Sequence, residues 1–156
     1  AIPSPGNKAG GITTLEDKSL GCVQKGGSSK VNGVLEMGGR VKNKGLNLIS
    51  TPGNDLCAVT TIAAAGCQMV LFTTGRGTPF GAPVPTMKIA TNTPLATKKS
   101  NWIDFNAGVV ADGVKTLDEA GADLLDQVCQ VASGKETCEE RKGFREISIF
   151  KDGVVL

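Results

Sequence analysis

The feature that most constrains this chain is a rhythm that begins at Gly45. Short apolar runs, LNLIS (Leu46–Ser50), QMVLFTT (Gln68–Thr74), TMKIATN (Thr86–Asn92) and WIDFN (Trp102–Asn106), alternate with segments of helical character. Strands this short and apolar suit a parallel sheet that is covered on both faces by helices. The fold expected is therefore α/β: three layers, with a mostly parallel Rossmann-like sheet and helices on both faces. Its strands would be Leu46–Ser50, Met69–Thr73, Met87–Ala90 and Ile103–Phe105.

Capping residues set the helices between them. Asn54 opens a helix of about Asp55–Ala65 that Gly66 stops. A short helix follows around Pro94–Lys98. Thr116 with Glu119 forms a capping box for Leu117–Ala132, where Leu117, Leu124, Leu125, Val128, Val131 and Ala132 fall near one face. Upstream, Thr13 with Glu16 predicts a helix over Leu15–Lys25, closed by Gly26 and Gly27. The opening AIPSPGNKAG reads as irregular because Pro3, Pro5, Gly6 and Gly10 interrupt it. Gly26–Lys30 reads as a loop, and Val31–Gly38 as a weak helix or an irregular segment. Phe144–Lys151 alternates at period two and reads as a half-buried edge strand. No repeat or composition shift divides the sequence, so a single domain over residues 1–156 is expected.

With 156 residues, 40% hydrophobic, 21% charged and a net charge of +2, the chain can bury one core and shows no basic excess for nucleic acid. One Trp and no Tyr provide no stacking platform for single strands. No apolar run approaches the roughly 18 residues of a membrane span, and no signal peptide opens the sequence. The reading is a cytoplasmic protein. The five cysteines (Cys22, Cys57, Cys67, Cys129, Cys138) are odd in number and form no CxxC pair. They read as reduced thiols, with Cys67 and Cys129 in the core, and their spacing fits no ferredoxin-type cluster. Histidine is absent, so acid–base work falls to Lys, Asp or Glu.

In open α/β sheets ligands bind beyond the carboxyl ends of the strands. Here those ends read STPGND, TTGRGTP, ATNTP and DFNAG, and each offers a strong hydrogen-bonding group: Asn54 and Asp55, Arg76, Asn92, Asp104 and Asn106. Thr74 and Thr78 flank the arginine. Gly75 and Gly77 allow close approach to a ligand, and a guanidinium grips carboxylate or phosphate with two parallel bonds. The alternative is an arginine that ties two loops together through backbone carbonyls. PGND either offers helix amides to an anion or only caps the helix. A third group gathers Asn7, Lys8, Glu16, Asp17 and Lys18. It would supply a base and a metal ligand, or it is a charged first helical turn. No Walker or dinucleotide fingerprint is present.

Together SPGNKAGGITTLEDKSLGC, PGND, LFTTGRGTPFG, PTMKIATN, WIDFNAG and the closing FREISIFKDGVVL closely resemble the carboxyl-terminal part of the galactarate and altronate dehydratase family. The likeness runs from about Pro3 to Leu156. Family enzymes are several times longer, so it implies the carboxyl-terminal domain of a cytoplasmic sugar-acid hydro-lyase. It also implies a divalent metal, iron(II) or alternatively manganese, with ligands partly outside this chain. The expected product is a 2-keto-3-deoxy acid. A metal holding the carboxylate and 2-hydroxyl would stabilise the enolate, and an acid would help expel the neighbouring hydroxyl. Lys8, Lys18 and Asp17 are then the candidate catalytic residues. Asn7, Asn54, Asp55, Thr74, Arg76, Thr78, Asn92, Asp104 and Asn106 are the candidate substrate contacts. Expected partners are the sugar acid, the remaining domains and further copies in a homo-oligomer, without nucleic acid or membrane. This chain alone would be inactive. Two other readings stand beside this one: a non-catalytic module that binds a sugar acid or phosphate, and a structural domain that supports a site elsewhere.

Overall fold

The structure, a computed structural model, describes residues 5–150, without the side chains of Pro5 and Cys22. The start of the SPGN run and the Lys151 end of the expected edge strand lie outside the described residues. Backbone contacts divide the chain into two compact units. One runs up to Val34 and takes in Asn43–Leu48; the other holds Leu35–Lys42 and the chain from Ile49 onward.

The first unit contains α1 (Pro5–Ala9) and α2 (Leu15–Lys25). The short α1 replaces the irregular opening expected. Pro5 stands at its first position, where a missing N–H costs nothing, and Asn7, Lys8 and Ala9 carry it one turn. Helix α2 has the expected bounds but a different cap, because the Thr14 side chain accepts from the Asp17 amide. The cap therefore sits one residue beyond Thr13.

A two-stranded sheet pairs β1 (Val31–Leu35) with β2 (Leu46–Ile49). Both points correct the sequence reading. Val31–Leu35 is a strand, and β2 pairs with it instead of joining the later strands. Asparagine side chains hold this pairing together. Asn32 Nδ2 donates to Lys44 O (2.7 Å), Asn43 Nδ2 to Asn32 O (3.2 Å), and Asn47 Nδ2 to Asn43 O and Gly45 O (both 2.9 Å).

In the second unit α3 (Asp55–Ala64) leads to β3 (Val70–Thr74), then β4 (Thr86–Ala90), α4 (Thr93–Lys98) and β5 (Phe105–Asn106). After these come α5 (Gly108–Ala111), α6 (Leu117–Ala132) and a 3₁₀ turn at Glu140–Lys142. The sheet order is β3–β4–β5, parallel throughout. Val70 pairs with Thr86, Thr74 with Ala90, and Ala90 with Asn106. Every residue of the central β4 is buried. Parallel strands with connecting helices make this an α/β protein.

Val59, Val70, Phe80 and Ala82 form one core cluster, with Leu56, Ile62, Phe72 and Val84 packed against it. Ala90, Leu95 and Ile103 form another. Helix α6 carries the expected capping box. Only Ala120 and Val131 on it are buried, whereas Leu117 and Leu125 are exposed. Among the described thiols Cys57 and Cys138 are buried, Cys67 is half-buried and Cys129 is exposed, which reverses the expectation for Cys129. Cys129 lies beside Gln130 on the outer side of α6, whereas Cys57 faces inward between the buried turns of α3. These four thiols are free. No strand forms from Phe144 to Phe150. That segment is held at isolated points: Glu146 N donates to Gly81 O and Gly81 N to Glu146 Oε2 (both 2.9 Å), while Ser148 N donates to Thr60 Oγ1 (3.0 Å) and Ser148 Oγ lies 2.9 Å from Cys57 Sγ. Among the described residues no helix is long and apolar enough to cross a membrane.

Candidate functional site

Strand β3 delivers the GRGTP loop to the carboxyl edge of the sheet, and neighbouring groups hold the loop there. Thr74 Oγ1 accepts from the Arg76 and Gly77 amides (3.3 and 2.9 Å). Asn92 Nδ2 donates to Gly75 O (3.1 Å) and Lys99 Nζ to Arg76 O (2.9 Å). Gly77 has φ +82, and a Cβ there would press on Lys99 Cδ at 3.3 Å and Leu95 Cδ1 at 3.4 Å. A non-glycine residue is disfavoured on both counts. The exposed Arg76 guanidinium makes no hydrogen bond or ion pair among the described residues. The loop is fixed through its backbone while its cation stays available. Because Thr74 occupies both amides, an anion here would meet side chains and not a backbone nest.

The other candidates on this edge differ in how much of their bonding is already used. Asn92 caps α4 through Leu95 N (2.9 Å) while holding Gly75, so both ends of its amide are engaged. Asn106 donates to Thr93 Oγ1 and accepts from Gly108 N, each at 3.0 Å. Thr93 in turn donates to Asp112. Asn54 caps α3 through Leu56 N and Cys57 N (3.1 and 3.2 Å). Asp55 accepts from Thr78 Oγ1 through Oδ2 (3.3 Å), which links the start of α3 to the arginine loop. Asp104 lies further back. Its two oxygens accept from Lys88 N (2.8 Å) and Cys138 N (2.7 Å), so it locks β4 to the segment after α6.

Beneath the loop sits Lys88, a residue absent from the sequence-based candidates. It occupies the middle of β4 opposite Phe72 and is 1% exposed. Its ammonium lies 4.3 Å from the Phe80 ring centroid and 5.1 Å from that of Phe72, and it donates to Thr78 O. Burial pushes its pKa down, against the pull of Glu139, Asp104, Asp55 and Glu146. Glu139 is also 1% exposed, and neither carboxylate oxygen has a hydrogen-bond partner. Burial raises its pKa, although Lys142 (3.8 Å away) and Lys88 act in the opposite direction. One signal in the sequence could have found Lys88. A lysine inside TMKIA, an apolar strand of a parallel sheet expected to be covered on both faces, has little access to solvent.

In the first unit Lys18 Nζ donates to Asn7 Oδ1 (3.3 Å), and Lys18 and Asn7 are half-buried. Lys8 and Asp17 are exposed. This brings two of the third group's residues into contact across the α1–α2 turn. Among the described residues no three His, Cys, Asp or Glu side chains gather closely enough to hold a metal ion. The donor set for a divalent-ion site is therefore not met by the residues described.

Comparison with known proteins gives these loops a context. The profile described as D-galactarate/Altronate dehydratase, C-terminal, matches residues 1–155. The chain is 60% identical over 154 residues to the altronate dehydratase of Escherichia coli K12, covering 99% of this chain and 31% of that protein. It is 57% identical over 154 residues to the altronate dehydratase of Bacillus subtilis 168, with the same two coverages. Against galactarate dehydratase (L-threo-forming) of E. coli K12 it is 43% identical over 137 residues, which is 87% of this chain and 26% of that enzyme. The chain thus spans about a third or less of the length of these relatives. With a profile match that takes in all the strand-end loops, the chain belongs to the carboxyl-terminal family of the D-galactarate and altronate dehydratases.

Proposed function

We propose that this chain is the carboxyl-terminal part of a sugar-acid hydro-lyase of the altronate type, and that its strand edge binds the substrate's carboxylate. In this reading the full-length enzyme completes the three-layer sheet arrangement that the β3–β4–β5 unit begins. The observation that carries the reading is the state of Arg76. Its loop is anchored by Thr74, Asn92 and Lys99, yet its guanidinium is exposed and unpaired among the described residues. An arginine that tied loops together would be spending its N–H groups on carbonyls; here Lys99 performs that task.

The chemistry divides naturally. Dehydration to a 2-keto-3-deoxy acid removes the proton beside the carboxylate and expels the neighbouring hydroxyl, and the enol then becomes a ketone. Arg76 would fix the carboxylate with a planar, two-bond grip, and Asp55 and Thr78 would contact hydroxyls beside it. For proton transfer the chain offers Lys8, Lys18 and Asp17, with Asn7 orienting Lys18. A divalent ion, iron(II) or manganese, would draw its ligands from beyond the described residues. The fragment alone would then be inactive.

The test is an assay of the full-length protein that contains this chain, against altronate and galactarate, with iron(II) or manganese supplied. Water loss from altronate, with little or none from the isolated chain, is the expected result. Turnover by the isolated chain would show that the site is complete within it. Saturable sugar-acid binding without turnover by the full-length protein would favour the binding module.

A further inference from the structure

A buried lysine in a central strand needs a reason, since a methionine would fill the same space without losing hydration. Pairing with Glu139 is not that reason. Both Glu139 oxygens lack a hydrogen-bond partner, and no ion pair joins them to Lys88 among the described residues. The directed contact of the ammonium is the Thr78 carbonyl, which also accepts from Phe80 N at 3.0 Å. Three carbonyls of the loop are thus each held by a side chain from below: Gly75 by Asn92, Arg76 by Lys99 and Thr78 by Lys88. Of these three anchors Lys88 alone is buried, with two aromatic faces lining its ammonium. Thr78 itself reaches across to Asp55.

We infer that Lys88 is a positioning residue for substrate binding: from beneath the sheet edge it fixes the Thr78 carbonyl, and so sets the pose in which Arg76 meets a carboxylate and Thr78 the hydroxyl beside it. The inference rests on the proposed carboxylate-binding role of this edge. Lys88 touches no substrate; its effect passes through the loop.

The test uses the full-length enzyme with Lys88→Met, Lys88→Arg and, as a core-destabilised control, Val70→Ala. Two quantities are read. One is the rate at which trypsin cuts the native protein after Arg76, and the other is kcat and KM for altronate. In Lys88→Met the bond should be cut about tenfold or more faster than in Val70→Ala at the same temperature, well below either Tm. KM should rise about ten- to a hundredfold, the loss of one charge-assisted hydrogen bond expressed as affinity, with a smaller change in kcat. Lys88→Arg keeps the charge and should fall between wild type and Lys88→Met. It carries the test if Lys88→Met does not fold. Cutting no faster than in Val70→Ala overturns the role of Lys88 and leaves the carboxylate reading standing. A loosened loop with unchanged KM overturns the inference together with the carboxylate role of the Arg76 edge.

Discussion

The two units of this chain are ordered by different means. In the second, a parallel sheet with a fully buried central strand is flanked by core clusters, and the strand-end loops extend from it. In the first, no described residue is buried, and Leu20 and Val23 are 71% and 77% exposed. Its geometry comes from helix caps and from the side-chain bonds of Asn32, Asn43 and Asn47. The contrast teaches that hydrophobic burial fixes the sheet from which the arginine loop is delivered, whereas exposed hydrogen bonds, each worth about 0.5–1.5 kcal/mol net, place the amino-terminal residues.

The largest expected consequence is in amide exchange. In this chain expressed by itself, Met87–Ala90 should exchange only through global opening, whereas Val31–Val34 should exchange through local opening. Protection factors should differ by about a thousandfold or more. Equal protection in β1 and β4 would break the comparison.

Adding a methyl group tests the same contrast. A Cβ at Gly108 would lie 2.3 Å from Thr93 N and 2.5 Å from Asn92 C, which are backbone atoms at the sheet edge. A Cβ at Gly33 would lie 2.4 Å from Asn47 Oδ1, the end of a side chain that can swing away. Gly108→Ala should cost about 3 kcal/mol or more and lower Tm by roughly 10 °C or more. Gly33→Ala should cost only about 1 kcal/mol, the value of the asparagine bonds it displaces. Thermal melts of both variants check the ordering.

A smaller effect should follow pH. The pKa of Glu139 is raised in the fold, so the native state holds its proton to higher pH than the unfolded chain does. Its contribution to stability is therefore fully present below the unfolded carboxylate range and is lost as pH rises through the folded pKa. Glu139→Gln cannot ionise and should gain on wild type by about 2–5 °C in Tm at alkaline pH. The gain should vanish under acidic conditions. A Tm difference that does not vary with pH would show that Glu139 is not the titrating group.

Much of the second unit was legible because its signals are local. Asn54 and the Thr116–Glu119 box each cap a helix where the sequence places one. Strand β1 was not legible, because VNGVL contains a glycine and its order comes from a partner more than ten residues away. The role of Asp104 was equally hidden. A carboxylate at a strand edge reads as a ligand contact until its partners, the Lys88 and Cys138 amides, are known. Lys88 was missed because a strand lysine normally faces water, and only its place in the central strand removes that option.

The central claim concerns Arg76, and Arg76→Lys in the full-length enzyme tests it most directly. Lysine keeps the charge but loses the planar fork, so the change should weaken transition-state binding by about 1.5–3 kcal/mol. That is a fall in kcat/KM for altronate of about ten- to a hundredfold or somewhat more. Tm should move little, because the guanidinium holds nothing else in place among the described residues. Unchanged kcat/KM, or a large drop in Tm with the folded fraction fully active, would contradict the account.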